Sequence, residues 1–171
     1  MTSTEPALSV RSLEHRDLPA ALAIQSAAYR PFLVEPEAAF ASRLDLPSSY
    51  CLAATQDGAL VAYLLAHAWA AEAPPPVGTV LSAPPAAGEV LFIHDLAVAP
   101  AARGTGIGRR LVMRAMEQAA RDGLSTTELI AVEGAANYWR GLGFVESETS
   151  PELTSKVSAY GPDARWMTRE I

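Results

Sequence analysis

The sequence has one cysteine, Cys51. That excludes an internal disulfide framework and a multi-cysteine zinc site, and its apolar neighbours predict a buried structural thiol. Positive charge is also scarce. Lys and Arg number 13 against 19 Asp and Glu, the net charge is -6, and Lys156 is the only lysine. This balance argues against a partner held by many phosphate contacts, such as duplex DNA or bulk RNA, and against an anionic membrane surface. It suits a cationic small substrate. Long apolar runs are missing too. The longest, Ala59 to Ala71, is broken by His67 and is too short to span a bilayer. Met1 to Val10 lacks the basic start and apolar core of a signal peptide, so a reduced, cytoplasmic setting is expected. There is no internal repeat, no heptad pattern and no grouping of ligands that calls for a metal.

What is present suits one domain over residues 1–171, half of it hydrophobic. Ala7 to Leu13 reads as a strand. Asp17 is placed to cap a helix running to about Tyr29, and Pro31 stops it. Glu35 to Leu46 reads as a second helix, closed by Pro47. Tyr50 to Thr55 and Leu60 to Trp69 flank Asp57-Gly58 and predict a hairpin. Residues 71–88 hold Pro74, Pro75, Pro76, Pro84 and Pro85 and read as a long loop. Val90 to Val98 is apolar apart from His94 and Asp95, which predicts a strand covered on both faces. Gly106 to Arg121 carries Ile107, Leu111, Ala115 and Ala119 on one stripe, the mark of an amphipathic helix. Thr127 to Val132 is a strand and Ala135 to Leu142 a short helix ended by Gly143. Phe144 to Glu148 and Arg165 to Ile171 are expected as the last strands, with an irregular link between them. The strand–helix–strand unit from Val90 to Val132 should be parallel and right-handed.

The most informative stretch is Arg103-Gly104-Thr105-Gly106-Ile107-Gly108, between the buried strand and the amphipathic helix. A helix start leaves amide N–H groups without partners, and its dipole favours an anion. Glycines let the backbone approach such a ligand closely. Arg103, Arg109 and Arg110 add positive charge. The chemistry points to phosphate or pyrophosphate. A P-loop would need a Lys, which is absent, and the glycine spacing is not that of the dinucleotide fingerprint.

The pattern Arg103-x-x-Gly106-x-Gly108 resembles the pyrophosphate motif of the GNAT superfamily of N-acetyltransferases. His94-Asp95-Leu96-Ala97-Val98 resembles that family's fourth strand, and Tyr138-Trp139-Arg140-Gly141-Leu142-Gly143-Phe144 its second signature. Within the superfamily the chain is most similar to serotonin-type arylalkylamine N-acetyltransferases, through Leu60 to Trp69 and the strand ending in Leu96-Ala97-Val98. The resemblance implies a single α/β (α+β) domain. Its central sheet should be mixed and mostly antiparallel, with helices on both faces and a parallel fourth and fifth strand that splay apart. It implies acetyl-CoA as co-substrate, without a metal. The backbone of Leu96 and Val98 would meet the pantetheine arm, and Arg103, Gly104, Thr105, Gly106, Ile107, Gly108 and Arg109 the pyrophosphate.

An alkylamine is protonated at neutral pH, with a pKa of about 10.4, so acetyl transfer needs a base. His94 is the candidate, since histidine titrates near neutrality. It matches the second of two histidines that shuttle protons in the serotonin-type branch; Phe92 stands at the first. Asp95 should face the opposite side of the strand from His94 and find a buried donor. Many relatives use a Tyr as acid for the departing thiolate at the position of Trp139. Tyr138 is adjacent, and Tyr160 is a second candidate. Val132 stands where some relatives carry an Asn that contacts CoA. Tyr29, Phe32 and Trp69 lie on segments that could wall an apolar acceptor pocket, and His67 and Trp69 could equally be core. The reading is direct acetyl transfer to a small primary amine, by a monomer or a homodimer. Two alternatives stand beside it: an acyl-CoA-binding sensor or partner-binding module, and a peptide or protein N-acetyltransferase.

Overall fold

The computed structural model describes residues 7–82 and 88–171. Met1 to Pro6, and Ala83 to Ala87 of the proline-rich loop, lie outside the described residues. The strands are β1 (Leu8–Ser12), β2 (Leu52–Gln56), β3 (Ala59–Trp69), β4 (Val90–Val98), β5 (Thr126–Ala131), β6 (Val145–Glu146) and β7 (Arg165–Glu170). The helices are α1 (Leu18–Ala28), α2 (Glu37–Leu44), α3 (Ile107–Arg121), α4 (Ala136–Gly141) and α5 (Pro151–Ser158). They form a seven-stranded sheet of order β1-β2-β3-β4-β5-β7-β6. Every neighbouring pair is antiparallel except β4 and β5.

The expected architecture is present, including the parallel pair. Its ladder is short: Leu91, Phe92 and Ile93 pair with Thr127, Glu128 and Leu129, and the strands diverge beyond them. The β2–β3 hairpin turns on Asp57 and Gly58, whose φ angles are 51° and 83°. Two positive φ angles match the twist of the flanking strands, which is why Asp-Gly sits there.

One face of the sheet packs on α3 and α4. Ile107, Leu111, Val112, Ala115, Met116 and Ala119 meet Ala62, Leu64, Ala66, Leu91 and Ile93 there. Each fully buried Leu in such a layer contributes about 1.5–3 kcal/mol. The other face is divided. Leu18, Ala21, Ile24 and Phe40 of α1 and α2 cover Tyr63 and Leu65. Leu153 and Val157 of α5 cover Phe92 and Trp166.

Three expectations need correction. The link before β7 is not irregular, because it contains α5. Ser150 caps that helix by accepting from the Leu153 amide at 3.1 Å, and Pro151 occupies its first turn. Second, α2 begins after Pro36, so Glu35 belongs to the link between α1 and α2. Third, Asp17 does not cap α1 with its side chain. Its carboxylate accepts from Arg11 at 2.7 and 2.8 Å and from the Glu14 amide at 2.8 Å.

Candidate active site

A bulge in β4 sets the position of His94. Leu65 pairs with Asp95 and Ala66 with Ile93, which leaves His94 as the extra residue. A bulge shifts the alternation of a strand by one. Phe92 therefore faces the α5 side, and Asp95 and Ala97 face the α1 side, while Ile93, Leu96 and Val98 face α3. The expectation that His94 and Asp95 point to opposite sides is corrected by this bulge. They still form no dyad, because each has another partner. Tyr63 Oη donates to Asp95 Oδ2 at 2.6 Å. His94 Nε2 meets Glu35 Oε1 at 2.5 Å, and the two side chains are 2% and 4% exposed.

Glu35 is held on every side. The Gln25 side chain clamps its backbone, donating to the carbonyl at 3.0 Å and accepting from the amide at 2.8 Å. Glu35 Oε2 accepts from the Gly78 amide at 2.6 Å and lies 4.0 Å from Arg43 Nη1. Burial pushes the Glu35 pKa up, but His94, Arg43 and the Gly78 amide outweigh it and hold the carboxyl below its ordinary value. Arg43 is fully buried; Nη1 donates to the Ala39 carbonyl at 3.0 Å and the Thr79 carbonyl at 3.3 Å. Burial pushes the pKa of Asp95 up, against the hydroxyls of Tyr29 and Tyr63. Burial also pulls His67 down to about 3, so it is neutral at any working pH.

The splay between β4 and β5 opens into a cavity of about 470 Å³. Its walls include His94, Leu96, Val98, Arg103, Tyr138 and Tyr29. Tyr29 Oη donates to the Leu96 carbonyl at 2.8 Å. At the α3 end, Gly104 and Gly106 both have φ of 77°, and a side chain on either would extend into open space. Gly106 is the N-cap of α3, and the first helical bond closes only at Arg110. The amides of Ile107, Gly108 and Arg109 therefore have no intrahelical acceptor. Thr105 Oγ1 donates to the Ala102 carbonyl at 2.5 Å, and the Ile107 side chain is core, so only the backbone of residue 107 is free for a ligand. This open, amide-rich turn at a helix N-terminus fits a pyrophosphate.

Tyr138 is 45% exposed on α4. Its hydroxyl stands over the α3 turn, 2.5 Å from where a Gly108 side chain would begin. Burial pushes its pKa up, with Arg109 opposing. Trp139 is buried against Phe144. Tyr160, buried, donates to the Pro75 carbonyl, and burial pushes its pKa up as well.

The aromatic wall read from the sequence is brought together only in part. Tyr29 lines the cavity; Phe32 and Trp69 do not. Phe32 is 53% exposed and lies against Gly161. Trp69 packs edge-on against His67 and donates through Nε1 to the Ala73 carbonyl at 3.0 Å. Beside Tyr29 the cavity is lined by Leu33, Val77, Ile130, Val132 and Tyr160. Sequence reasoning also missed Glu35, Gln25 and Arg43. For Gln25 and Arg43 the signal was a polar residue on an apolar helical stripe, Gln25 beside Ala21 on α1 and Arg43 beside Ala39 and Phe40 on α2; Glu35, in the link, carried none. Among the described residues no three His, Cys, Asp or Glu side chains gather as a metal ion requires.

A splayed parallel pair, a glycine turn on the following helix and a buried histidine beside the cleft match the architecture expected of an acyl-CoA-dependent transferase. The profile of the acetyltransferase (GNAT) family matches residues 16–144, and the chain belongs to that family. Acetyl transfer is the class of reaction for which that family is named. An uncharacterised N-acetyltransferase of Methanocaldococcus jannaschii is 43% identical over 63 residues, which is 35% of this chain and 28% of that protein. The chain thus spans little more than a quarter of that relative's length. Two solved structures share the fold over nearly the whole chain. The ribosomal-protein-S18-alanine N-acetyltransferase of Escherichia coli has a TM-score of 0.70 at 21% identity, covering 96% of this chain and 94% of that one. The PaiA N-acetyltransferase of Thermoplasma acidophilum, solved with coenzyme A, has a TM-score of 0.67 at 12% identity, covering 96% and 99%. No helix among the described residues is long and apolar enough to cross a membrane.

Proposed function

We propose that the chain transfers the acetyl group of acetyl-CoA directly to a small primary amine with an apolar or aromatic tail. The observation that carries this reading is the set of contacts that ties down the acceptor end of the cleft. The proline-rich connection after β3 crosses it as a strap. Its Pro75 carbonyl accepts from Tyr160, its Gly78 amide bonds Glu35, its Thr79 carbonyl accepts from Arg43, and its Leu81 amide donates to Ser42 Oγ at 3.0 Å. Phe32 against Gly161 joins the α1–α2 link to the segment after α5. An extended peptide would need an open groove along this side. A compact amine needs only the pocket lined by Tyr29, Leu33, Val77, Ile130 and Tyr160. The likeness to the arylalkylamine branch points to the same tail chemistry.

In this reading His94 takes one proton from the ammonium. The freed nitrogen lone pair forms the bond to the acetyl carbon as the bond from carbon to sulfur breaks. The second proton lost by nitrogen neutralises the thiolate, and the Tyr138 hydroxyl, on the cavity wall, is the proposed relay. The backbone at Leu96 and Val98 orients the co-substrate, and the turn from Arg103 to Arg109 anchors its pyrophosphate. Holding both reactants in line supplies much of the rate.

The test is CoA release with phenethylamine, tryptamine, spermidine, an aminoglycoside and a lysine peptide. The arylalkyl amines should turn over fastest. Preference for the peptide would support the protein N-acetyltransferase reading instead. Tight acetyl-CoA binding without turnover of any amine or peptide would support a sensor.

A further inference from the structure

We infer that Glu35 is a positioning residue that fixes the tautomer of His94, so that the proton accepted in the reaction goes to Nδ1. The inference rests on the proposed transfer to an amine but is tested separately from it.

The argument starts from donors and acceptors. An ionised carboxylate only accepts hydrogen bonds. Glu35 Oε1, 2.5 Å from His94 Nε2, therefore requires the hydrogen on Nε2. A neutral imidazole has one N–H and one lone pair. With Nε2 committed, the lone pair is on Nδ1. That atom is buried and has no hydrogen-bond partner among the described residues, and His94 lines the cavity. It is the nitrogen left for chemistry.

The other groups around the ring leave this assignment intact. From β3, His67 is neutral and Tyr63 is spent on Asp95. From β4, Asp95 is buried and tied to Tyr63. From the end of α1, Tyr29 donates to Leu96; from the segment after α5, Tyr160 donates to Pro75. From α2, Arg43 lies toward Glu35 Oε2 and adds positive charge beside the carboxylate. Among the described residues, Glu35 alone is hydrogen-bonded to the imidazole. The carboxylate also balances the imidazolium once Nδ1 is protonated, as an orienting acid does in other base-assisted sites.

Substitution by Gln gives a sharp outcome. Glu35 Oε2 faces two donors, the Gly78 amide and Arg43. A Gln carbonyl must take that side, which turns the Gln NH₂ toward His94. Nε2 then has to accept, the hydrogen moves to Nδ1, and the base atom is lost. Asp at the same position keeps the charge and has no N–H.

The experiment reads the His94 tautomer by long-range ¹H–¹⁵N correlation at about pH 8.5, above the ordinary histidine value. His15 and His67 are assigned by substitution. Wild type should show hydrogen on Nε2. Glu35→Gln should show it on Nδ1 and lose kcat on the order of 10²–10⁴-fold with little change in KM or in acetyl-CoA affinity. Glu35→Asp should keep the wild-type tautomer and recover part of the rate. The double variant Glu35→Gln with His94→Ala should be no slower than His94→Ala alone, because the two residues act as one unit. A wild-type protein with hydrogen on Nδ1 would overturn the inference, as would a Glu35→Gln variant that keeps Nε2–H or whose loss adds to that of His94→Ala. If wild type turns over none of the amines, the function reading fails, while the tautomer spectra still decide this one.

Discussion

The two ends of the cleft are built on opposite principles. The end proposed for the cofactor is mostly backbone and open space: two glycines at φ of 77° and a helix start, with Arg103 on the wall. The end proposed for the acceptor is made of buried side chains that hold one another, with Gln25, Glu35, Arg43 and His94 linked to a strap from a distant part of the chain. A pyrophosphate presents the same oxygens whatever the acceptor, so a sequence-tolerant backbone cradle suffices. An acceptor pocket must discriminate, and discrimination needs side chains in fixed positions.

Breaking the cofactor end should have the largest effect. Gly106→Asp adds a left-handed strain and a negative charge at the turn proposed to hold the pyrophosphate. Acetyl-CoA binding should fall by roughly a hundredfold or more, about 2.7 kcal/mol. Titration calorimetry checks this, and unchanged affinity would remove the assignment of the turn. The acceptor end should respond in rate instead. His94→Ala should lower kcat/KM on the order of 10²–10⁴-fold while leaving acetyl-CoA affinity intact. The loss should shrink at high pH, where more of the amine is already neutral. A variant with the wild-type pH profile would mean that another group, or water, takes the proton.

The next contrast is in stability. Arg43→Met leaves Glu35 without its buried cation. Losing one partner of a buried pair costs about 3–5 kcal/mol, and thermal unfolding should show it as a clear drop in Tm. The equivalent change at the cofactor end, Arg109→Met, lies on an exposed surface and should leave Tm nearly unchanged. An equal drop in both would dissolve the distinction. The smallest effect concerns Asp95. Burial raises its folded pKa above the unfolded value, so the folded state holds the proton more tightly. Stability therefore falls as pH rises from about 4, the unfolded value, through the folded pKa. Asp95→Asn lacks this dependence. The stability of the variant relative to wild type should therefore rise as the pH climbs above about 4, which urea titrations across a pH series would reveal.

The same contrast explains what was legible in the sequence. The glycine turn could be read because a backbone site announces itself locally, by residues that permit positive φ at a helix start. The order of elements along the chain followed from periodicity, the parallel pair from the strand–helix–strand unit between Val90 and Val132, and the mixed, splayed sheet from the family resemblance. Glu35 was hidden because its partners come from sequence positions 25, 43, 78 and 94, and nothing local connects them. The shared face of His94 and Asp95 was hidden as well. A single bulge inverted the alternation, and nothing in Ile93-His94-Asp95-Leu96 signals an extra residue. Helix α5 could have been found from Ser150-Pro151-Glu152 followed by Leu153 and Val157 at helical spacing.

The short β4–β5 ladder has a consequence for the chain as a material. Beyond Ile93 the sheet carries an edge in its own interior, where β4 has no ladder partner on the β5 side among the described residues. An unpaired edge is ordinarily an aggregation hazard, met by charge or cover at the rim of a protein. Here it lies at the centre, and a ligand that lies down along it closes the gap as a borrowed strand would. Shelf life in concentrated solution should then follow the occupancy of the cleft. Saturating coenzyme A would act as a solubilising agent, because it stabilises only the folded, gap-closed form.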